Sequence, residues 1–317
     1  MTRRVLISGS VAYDTIMVFD GHFKDHILPD RVHMLNVSFL ALQMKREFGG
    51  CAANIAYNLK ALGGEPVILA SVGHDGDGYL QRLRGLGIDI AHVVRLPDAF
   101  TAQAFITTDL ADNQITAFHP GAMSEAHRSD ARAALPAAFG IVGPNGKDAM
   151  LQHAQAFRAS GVPFIFDPGQ GLPMFSGAEL RDLLAAATAL AVNDYESQMF
   201  AEKTGYGEPD LASRVKALIV TRGGEGSTLY VDGQASAIAP VPIARALDPT
   251  GCGDAYRGGL LYGLARGWSW LHSARLGGVL GAIKIEHQGP QNHVLALDEV
   301  TRRYAQAYGE PLPGTLG

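Results

Sequence analysis

The sequence predicts an α/β protein in which a mostly parallel sheet carries helices on both faces and a small antiparallel sheet forms a lid. Two observations support this prediction. Apolar runs of strand length alternate with segments of helical periodicity along most of the chain. Residues 11–48 and 91–122 break this rhythm with short alternating runs typical of antiparallel strands. We therefore assign the lid to these two segments and the large part to about residues 1–10, 49–90 and 123–317.

Composition is that of an ordinary globular protein and argues against several classes. The 317 residues suffice for one large α/β domain with a small appendage. A formal net charge of −5 argues against a broad surface for nucleic acid or anionic membranes, so we expect neither as a partner. The only two cysteines, Cys51 and Cys252, lack a metal-ligand spacing and suit a reducing compartment, which predicts a cytoplasmic protein.

The elements of the first half follow from apolar periodicity and a glycine stop. Residues 5–8 fit a buried strand, and residues 52–62 fit a helix that ends at Gly63. Residues 67–72 fit the next strand and residues 79–86 the next helix.

The second half repeats strand and helix in regular order. The predicted strands are 141–142, 164–166, 190–192 and 218–220. The predicted helices are 149–159 and 180–187, followed by two long apolar helices that begin near Cys252 and Trp270. Such alternation is typical of a parallel sheet built from βαβ units.

The most informative motif is the turn LDPTGCGD at residues 247–254, which opens directly into an apolar helix. Backbone N–H groups of Gly251, Cys252 and Gly253 at a helix N-terminus can hold an anion. Asp254 lies at the rim of this hole. An anion hole beside a carboxylate is the smallest set of groups needed to catalyse phosphoryl transfer to an alcohol. The alternative is a simple helix cap.

The helix dipole leads to two further expectations at this turn. It should stabilise the ionised carboxylate of Asp254 and so make it a poor base at neutral pH. A weak base can still suffice if the transition state is loose, because the attacking alcohol then becomes acidic only as its bond to phosphorus forms. The dipole should also acidify the thiol of Cys252, which we expect to be reactive and shielded by a bound nucleotide.

Two motifs near the first strand are candidates for binding the acceptor. Asp14 ends GSVAYD at residues 9–14, just past a strand end on the ligand side of an open sheet, and can accept from sugar hydroxyls. Gly49 and Gly50 precede a predicted helix and let a ligand approach the backbone, while Asn54 offers a donor and an acceptor. The alternatives are a turn residue at Asp14 and a helix cap at the glycines.

Two later motifs are candidates for binding a nucleotide. Asn193 and Glu196 follow a strand, and their spacing suits holding hydrated Mg²⁺ through water. The same spacing fits an ordinary capping box. Thr221, Gly223 and Gly226 lie in VTRGGEG at residues 220–226, which either cradles phosphates or ribose or forms a glycine-rich hairpin.

The order of these motifs resembles the ribokinase (PfkB) family of carbohydrate and nucleoside kinases, from Gly9 to about His293. The resemblance implies a ribokinase-like, Rossmann-type three-layer α/β sandwich with a β-sheet lid, ATP as donor, and Mg²⁺. Asp254 would then be the base, and residues 251–253 the hole for the γ-phosphate. Positions that match the family pattern imply that Asp14, Gly50 and Asn54 bind the hydroxyls of the acceptor. They also imply that Asn193 and Glu196 hold the water molecules around Mg²⁺. Thr221 and Gly223 would contact the nucleotide.

The resemblance also implies a place for K⁺ near the 247–254 turn. The candidate ligands are the Asp248 carboxylate and the carbonyl groups of Thr250 and Gly289. This transfer depends wholly on the family pattern and not on a metal-ligand spacing of this chain.

Two segments make the sequence similar to the bacterial adenosine or nucleoside kinase branch of that family: HMLNVSF at residues 33–39 and AFHPGA at residues 117–122. An aromatic lid suits stacking of a purine, at about 1–3 kcal/mol per base. The candidate stacking residues are Phe39, Phe105 and Phe118, and the candidate base readers are Gln43 and Asn113. Each aromatic side chain has packing within the lid as its alternative role.

We therefore expect an ATP-dependent kinase that phosphorylates the 5′-hydroxyl of a purine nucleoside. The alternatives are a sugar kinase acting by the same mechanism and a non-catalytic sugar or nucleotide sensor. A dinucleotide-dependent oxidoreductase is disfavoured, because no three-glycine fingerprint follows the first strand. Lid strands expose unpaired edges, so we also expect a homodimer formed through the lid.

Overall fold

The protein is described here from a computed structural model that covers residues 3–27, 36–111 and 113–317. Its strands, in chain order, are β1 (Arg4–Ser8), β2 (Ala12–Phe19), β3 (Ala41–Gly49), β4 (Glu65–Val72), β5 (Val93–Arg95), β6 (Ala102–Thr108), β7 (Gln114–His119), β8 (Phe139–Val142), β9 (Phe164–Phe166), β10 (Ala189–Asn193), β11 (Ala217–Thr221), β12 (Ser227–Val231) and β13 (Gln234–Ile238). Every strand predicted for the large sheet lies within or coincides with one of these.

The α-helices, in chain order, are α1 (Cys51–Ala61), α2 (Asp77–Gly85), α3 (Lys147–Ala159), α4 (Gly177–Ala186), α5 (Asp194–Thr204), α6 (Glu208–Ala212), α7 (Cys252–Ala265), α8 (Trp270–Ile285) and α9 (Leu297–Tyr308). Short 3-10 helices occur at Phe23–Asp25, Gly121–Arg128, Ala131–Ala134, Gly169–Met174 and Gly223–Glu225. The predicted helices agree with these bounds to within a few residues. Across the described residues, no helix has both the length and the apolar character needed to cross a membrane.

The large sheet has nine strands in the order β13-β12-β11-β10-β9-β8-β1-β4-β5. Neighbours from β11 to β5 are parallel, whereas β12 and β13 pair antiparallel. The strand order reverses direction beside β1, because β4 adds on one side of it and β8 on the other. In an open α/β sheet, ligands bind beyond the carboxyl ends of the strands near such a reversal.

Helices cover both faces of this sheet, so the fold is the predicted three-layer sandwich. Side chains of β1 alternate between the two cores, with Val5 and Ile7 in one and Leu6 in the other. The first core packs against α1, α2, α7, α8 and α9, and the second against α3 to α6. Gly259 of α7 and Gly277 of α8 let these helices approach closely, because a Cβ on Gly259 would lie 2.8 Å from the Gly277 nitrogen.

The second sheet has four strands in the order β3-β2-β6-β7, and we refer to it as the lid sheet. The pairs β2–β3 and β6–β7 are antiparallel, but β2 and β6 are parallel. The predicted antiparallel lid is therefore confirmed, and among the described strands β2–β6 is its one parallel pairing. The reason is topological: the chain returns to the large sheet through α1, β4, α2 and β5 between β2 and β6, so both strands leave the large sheet in the same direction.

Candidate active site

The 247–254 turn positions the first residues of α7. Gly251 is the N-cap residue with φ of 81°, and a Cβ on it would lie 2.8 Å from the Cβ of Pro290. Both the left-handed backbone and the close contact favour glycine at this position. The N–H of Cys252 donates to the carbonyl of Pro249 at 3.1 Å, so this amide takes part in the turn itself. Gly253 follows in the first helical turn, where N–H groups have no carbonyl partner within the helix.

Asp254 forms a specific hydrogen bond across the site. Asn54 Nδ2 donates to its Oδ2 at 2.8 Å, which joins α1 to α7 over 200 positions of sequence. The pKa of the Asp254 carboxyl is raised to about 7, chiefly by burial and also by the nearby Asp167 and Asp14, while the hydrogen bond from Asn54 lowers it. The expectation of an acidic Asp254 was therefore wrong, because loss of solvent outweighs the stabilisation expected at a helix N-terminus. A carboxylate with a pKa near 7 suits general base catalysis at neutral pH.

A buried hydrogen-bond network connects Asp254 to the glycines before α1. Gln291 Nε2 donates to Asn54 Oδ1 at 2.9 Å and to the hydroxyl of Tyr79 at 2.6 Å. The Tyr79 hydroxyl in turn donates to the carbonyl of Gly49 at 2.7 Å. The orientation of the Asn54 amide is thereby determined, so its Nδ2 points at the carboxylate.

Asp14 lies in β2, against the backbone of the β3–α1 turn. A Cβ on Gly49 would lie 2.4 Å from Asp14 Oδ2, so the carboxylate occupies space that any other residue would fill. Gly50 has φ of 87°, and a Cβ there would lie 2.6 Å from the carbonyl oxygen of Ser10. Burial raises the pKa of Asp14 to about 6, and Glu47 and Asp248 add to the shift. The predicted acceptor residues therefore come together around one turn.

A buried ion pair lies beside Asp254. Arg257 Nε donates to Asp167 Oδ2 at 3.0 Å, and both residues are almost fully buried. Arg257 Nη1 is also buried and has no hydrogen-bond partner among the described residues. Both charges of the pair act on the pKa of Asp254, with Asp167 raising it and Arg257 lowering it.

Asn193 and Glu196 form the capping box that was the alternative to a magnesium role. Asn193 Oδ1 accepts from the Glu196 N–H at 2.7 Å, and Glu196 Oε2 accepts from the Asn193 N–H at 2.8 Å. Burial and the neighbouring Asp167 raise the pKa of Glu196. The box thus holds a half-buried carboxylate near the Asp167–Arg257 pair. The magnesium role stays a prediction.

The predicted nucleotide loop follows β11, next to Asn193. Asn193 and Thr221 are direct partners in the parallel pair β10–β11, so the two motifs lie side by side at the carboxyl edge of the sheet. The chain then turns through Gly223, with φ of 54°, into the antiparallel strand β12, so the segment is a hairpin as well. A Cβ on Gly226 would lie 2.2 Å from the Ile238 carbonyl oxygen. Close packing against this oxygen is therefore enough to require glycine at position 226.

Asp248, Thr250 and Gly289 come together as expected. The Asp248 carboxylate accepts from the Thr250 N–H at 2.8 Å and from the Gly289 N–H at 2.7 Å. Lys284 Nζ donates to the Asp248 carbonyl at 2.7 Å and to the His287 carbonyl at 3.0 Å. The ammonium group of Lys284 also lies 3.8 Å from Asp248 Oδ2, which belongs to one of the three groups that the resemblance assigned to K⁺.

The three candidate stacking residues occupy different parts of the lid. Asp14 pairs with Ala104, which pairs with Phe118, so Phe118 lies on the same face of the lid sheet as Asp14. Phe105 pairs with Thr15 and lies on the opposite face, which does not fit the expected contact with the acceptor. Phe39 packs in an aromatic cluster with Phe19, Phe23 and His26, at the end of β2 far from Asp14. Residues 33–35 of the HMLNVSF segment lie outside the described residues.

The two residues expected to contact the base, Gln43 and Asn113, lie in different surroundings. Gln43 pairs with Val18 and shares the face of Asp14. Asn113 instead donates to both carboxylate oxygens of Asp109, at 3.1 and 3.0 Å.

Burial raises the pKa of Cys252 to about 11, so the expectation of an acidified thiol was wrong.

Sequence reasoning missed four residues of this region: Asp167, Arg257, Lys284 and Gln291. Arg257 and Lys284 had a recognisable signal, since each is a charged residue within a run that is otherwise apolar or small. Asp167 directly follows the short apolar strand β9, much as Asn193 ends β10. Gln291 carried no local signal, because its importance lies only in the two partners that the fold brings to it.

Fold and site together define a class: an α/β phosphotransferase that acts on a hydroxyl group. The model of the pfkB family of carbohydrate kinases matches residues 8–296, and the chain belongs to this family. It is 31% identical over 273 residues to the nucleoside kinase of Methanocaldococcus jannaschii, covering 84% of this chain and 89% of that relative.

Solved structures agree with this assignment. Burkholderia thailandensis nucleoside kinase in complex with inosine is 49% identical and superposes with a TM-score of 0.89, over 98% of this chain and 100% of that one. The same enzyme in complex with ADP-inosine is 51% identical with a TM-score of 0.86, over 98% of each chain. These matches cover both the large sheet and the lid sheet.

Proposed function

We propose that the protein transfers the γ-phosphoryl group of ATP to the 5′-hydroxyl of a purine nucleoside. The observation that carries the proposal is the Asp254 carboxylate, which has a pKa near 7 and is held by Asn54 next to the turn before α7. The neighbouring acceptor motif and the likeness to a kinase structure containing inosine support a nucleoside as acceptor.

In this proposal the acceptor lies between the lid sheet and the β3–α1 turn. The Asp14 carboxylate and the Asn54 amide bind sugar hydroxyls, and Gly49 and Gly50 let the sugar approach the backbone. Phe118, on the face of Asp14, stacks on the base. The lid segments 11–48 and 91–122 then exclude water from the phosphoryl group.

The donor lies along the carboxyl edge of the large sheet. Thr221, Gly223 and Gly226 contact the nucleotide, and the amides of residues 251–253 stabilise the charge of the γ-phosphate. Asp254 orients the attacking hydroxyl and takes its proton as the bond to phosphorus forms. Arg257, with one nitrogen still unpaired, offsets part of the negative charge of this region.

Mg²⁺ fits this site through water and phosphate and not through a cage of side chains. Among the described residues no group of three or more His, Cys, Asp or Glu side chains is arranged to hold a metal. Mg²⁺ commonly keeps several waters and uses one or two carboxylates plus phosphates. Asn193 and Glu196 would hold its waters, and the neighbouring carboxylates of Asp167 and Asp194, which act on Glu196, would attract a cation. When bound, the ion would neutralise charge on the transferring phosphate.

The test is an assay of ADP release with Mg-ATP on inosine, adenosine, guanosine, ribose and fructose in parallel. Turnover confined to nucleosides supports the proposal. Turnover on ribose or fructose instead favours the sugar kinase, a second candidate supported by the likeness to an ATP-dependent ribose-1-phosphate kinase at 26% identity. No turnover on any acceptor would favour a sensor.

We also propose a homodimer in which the outer face of the lid sheet is covered by a second copy. This face, opposite Asp14, exposes Leu42, Met44, Phe105 and Ile115, with 76%, 70%, 41% and 45% of their surfaces accessible. Apolar side chains clustered on one face are typical of a protein interface. The contact would then be made between sheet faces and not between the strand edges first expected.

A further inference from the structure

Lys284 is the most deeply buried charged side chain near the site. It lies in the last turn of α8 with none of its surface accessible. Its Nζ donates to the carbonyl groups of Asp248 and His287 at 2.7 and 3.0 Å, and it lies 3.8 Å from Asp248 Oδ2. Three oxygens from two separate loops thus surround one cation.

The cost of burying this ammonium group points to a specific role. A buried charge is strongly unfavourable unless it is paired and hydrogen-bonded. Here the cation, the Asp248 carboxylate and the N–H groups of Thr250 and Gly289 form one compact junction. The junction ties the loop after α8 to the loop that precedes α7, where Gly251 and Pro290 are in contact.

The oxygens around Lys284 Nζ are also the donor set that a hard monovalent cation prefers, namely carbonyl groups and a carboxylate. Ammonium and potassium ions have similar sizes, so one replaces the other in such a site with little rearrangement. The Asp248 carboxylate, with Oδ2 3.8 Å from Lys284 Nζ, is the expected K⁺ ligand that also faces the ammonium. A second cation on this carboxylate would be repelled by the buried ammonium beside it, so the Asp248 region does not fit an additional K⁺.

We propose that the Lys284 ammonium is a built-in replacement for a monovalent cation, which makes the protein independent of K⁺. Lys284 is a positioning residue: it holds residues 247–253 in place and contacts neither substrate nor reacting atoms. The activity part of this proposal rests on the proposed nucleoside kinase function, whereas the binding part does not.

The first experiment measures turnover of inosine by the wild-type protein in choline chloride and in KCl at equal ionic strength. An activating cation typically changes an affinity by about 5–150-fold. We expect kcat and KM to differ by less than about twofold between the salts, far below that range. Activation by K⁺ of about fivefold or more would overturn the proposal.

The second experiment removes the ammonium group with Lys284→Ala, which leaves space lined by the same carbonyl oxygens. Loss of charged hydrogen bonds is expected to lower kcat about tenfold or more in choline chloride. K⁺ or NH₄⁺ should restore most of it, whereas Lys284→Met, which fills the space, should not be rescued. A Lys284→Ala protein that is fully active in choline, or whose loss no cation restores, would contradict the proposal.

Lys203 supplies a matched control for this variant. Its Nζ also donates to two backbone carbonyls, those of Pro173 and Phe175 at 3.2 and 2.9 Å, but in a different part of the fold. Lys203→Ala should therefore lose stability without acquiring any dependence on K⁺.

Thermal unfolding without substrates gives a readout that does not depend on the acceptor. K⁺ in place of choline should raise the Tm of Lys284→Ala and leave the wild-type Tm unchanged. A selective rise for the wild type would overturn the proposal, as would no rise for the variant. If no nucleoside is turned over, the proposed function fails, and the Tm comparison still decides the role of Lys284. Should Lys284→Ala not fold in either salt, the wild-type Tm and activity decide it.

Discussion

At the scale of single residues, two carboxyl groups of the site have pKa values raised by burial. Asp254 has a pKa of about 7 and Asp14 one of about 6, and each is also raised by other carboxylates nearby. Both must be ionised for the proposed reaction, Asp254 to accept a proton and Asp14 to accept hydrogen bonds from the acceptor. Acid should therefore inactivate the protein well above the usual range for aspartate.

We predict that kcat falls below pH 7, by about tenfold per pH unit once the pH is under about 6. At saturating ATP, the kcat/KM for the nucleoside reports the protein before the nucleoside binds, so its slope should approach two well below pH 6, where both groups are protonated. The measurement is a pH profile from 5 to 9 at saturating ATP. In Asp14→Asn the slope should return to one, and a flat kcat between pH 5 and 8 would exclude Asp254 as the base.

Asp254→Asn separates catalysis from stability. The variant keeps an acceptor for Asn54 but no base, so kcat should fall by about 10²–10⁴-fold while the KM values change little. The folded pKa of Asp254, about 7, lies above the ordinary aspartate value of 3.8, so the folded state binds the proton more tightly. Ionisation therefore costs stability as the pH rises from about 4 through about 7, and this cost is fully present above that range.

The neutral asparagine avoids this cost. Calorimetry should find a higher Tm for Asp254→Asn than for the wild type at pH 8, with the difference vanishing towards pH 4. A lower Tm at pH 8 would show that the hydrogen bond from Asn54 outweighs the burial of charge. Turnover close to that of the wild type would show that another group takes the proton.

At the scale of elements, the alternation of side chains in the lid sheet separates residues that look equivalent in sequence. Phe105 and Phe118 are both large, aromatic and partly exposed, at 41% and 51%. The register places Phe118 beside Ala104, on the face of Asp14, and Phe105 on the other face. Register thus decides which of the two residues faces the acceptor.

We predict that Phe118→Ala raises the KM for the nucleoside and leaves the KM for ATP unchanged. Loss of a stacked base costs about 1–3 kcal/mol, which corresponds to roughly 5–150-fold in KM. Phe105→Ala is the matched control, compared in the same oligomeric state because Phe105 lies on the proposed dimer face, and should change the nucleoside KM less than about twofold. Steady-state kinetics on both variants makes the comparison. A larger effect of Phe105→Ala would mean that the acceptor lies on the opposite face of the lid sheet.

At the scale of the whole molecule, the outer face of the lid sheet determines the expected assembly. We predict that Met44→Glu prevents dimer formation, because a charge would be buried at the centre of an apolar interface. Light scattering coupled to gel filtration should give twice the chain mass of 33.6 kDa for the wild type and one chain for the variant. Met174→Glu, at an exposed apolar residue outside the lid sheet, is the control. A monomeric wild type would contradict the prediction.

The sequence by itself determined the order of strands and helices, the glycine turns, and the presence of Asp254 beside a glycine turn at a helix N-terminus. These features are local, since periodicity and glycine stops act over a few neighbouring residues. The motifs lie in separate segments, yet parallel strands bring their carboxyl ends to one edge, so their meeting there was predictable as well.

Only the tertiary structure decided how these residues behave. The pKa of Asp254 depends on burial by segments far along the chain, and the opposite expectation followed from considering its helix alone. The partners of Lys284 and the face of Phe105 likewise depend on how distant segments pack and pair. Local patterns specify which elements form, whereas burial, partners and charge balance arise from contacts between residues distant in sequence, and these determine the chemistry of the site.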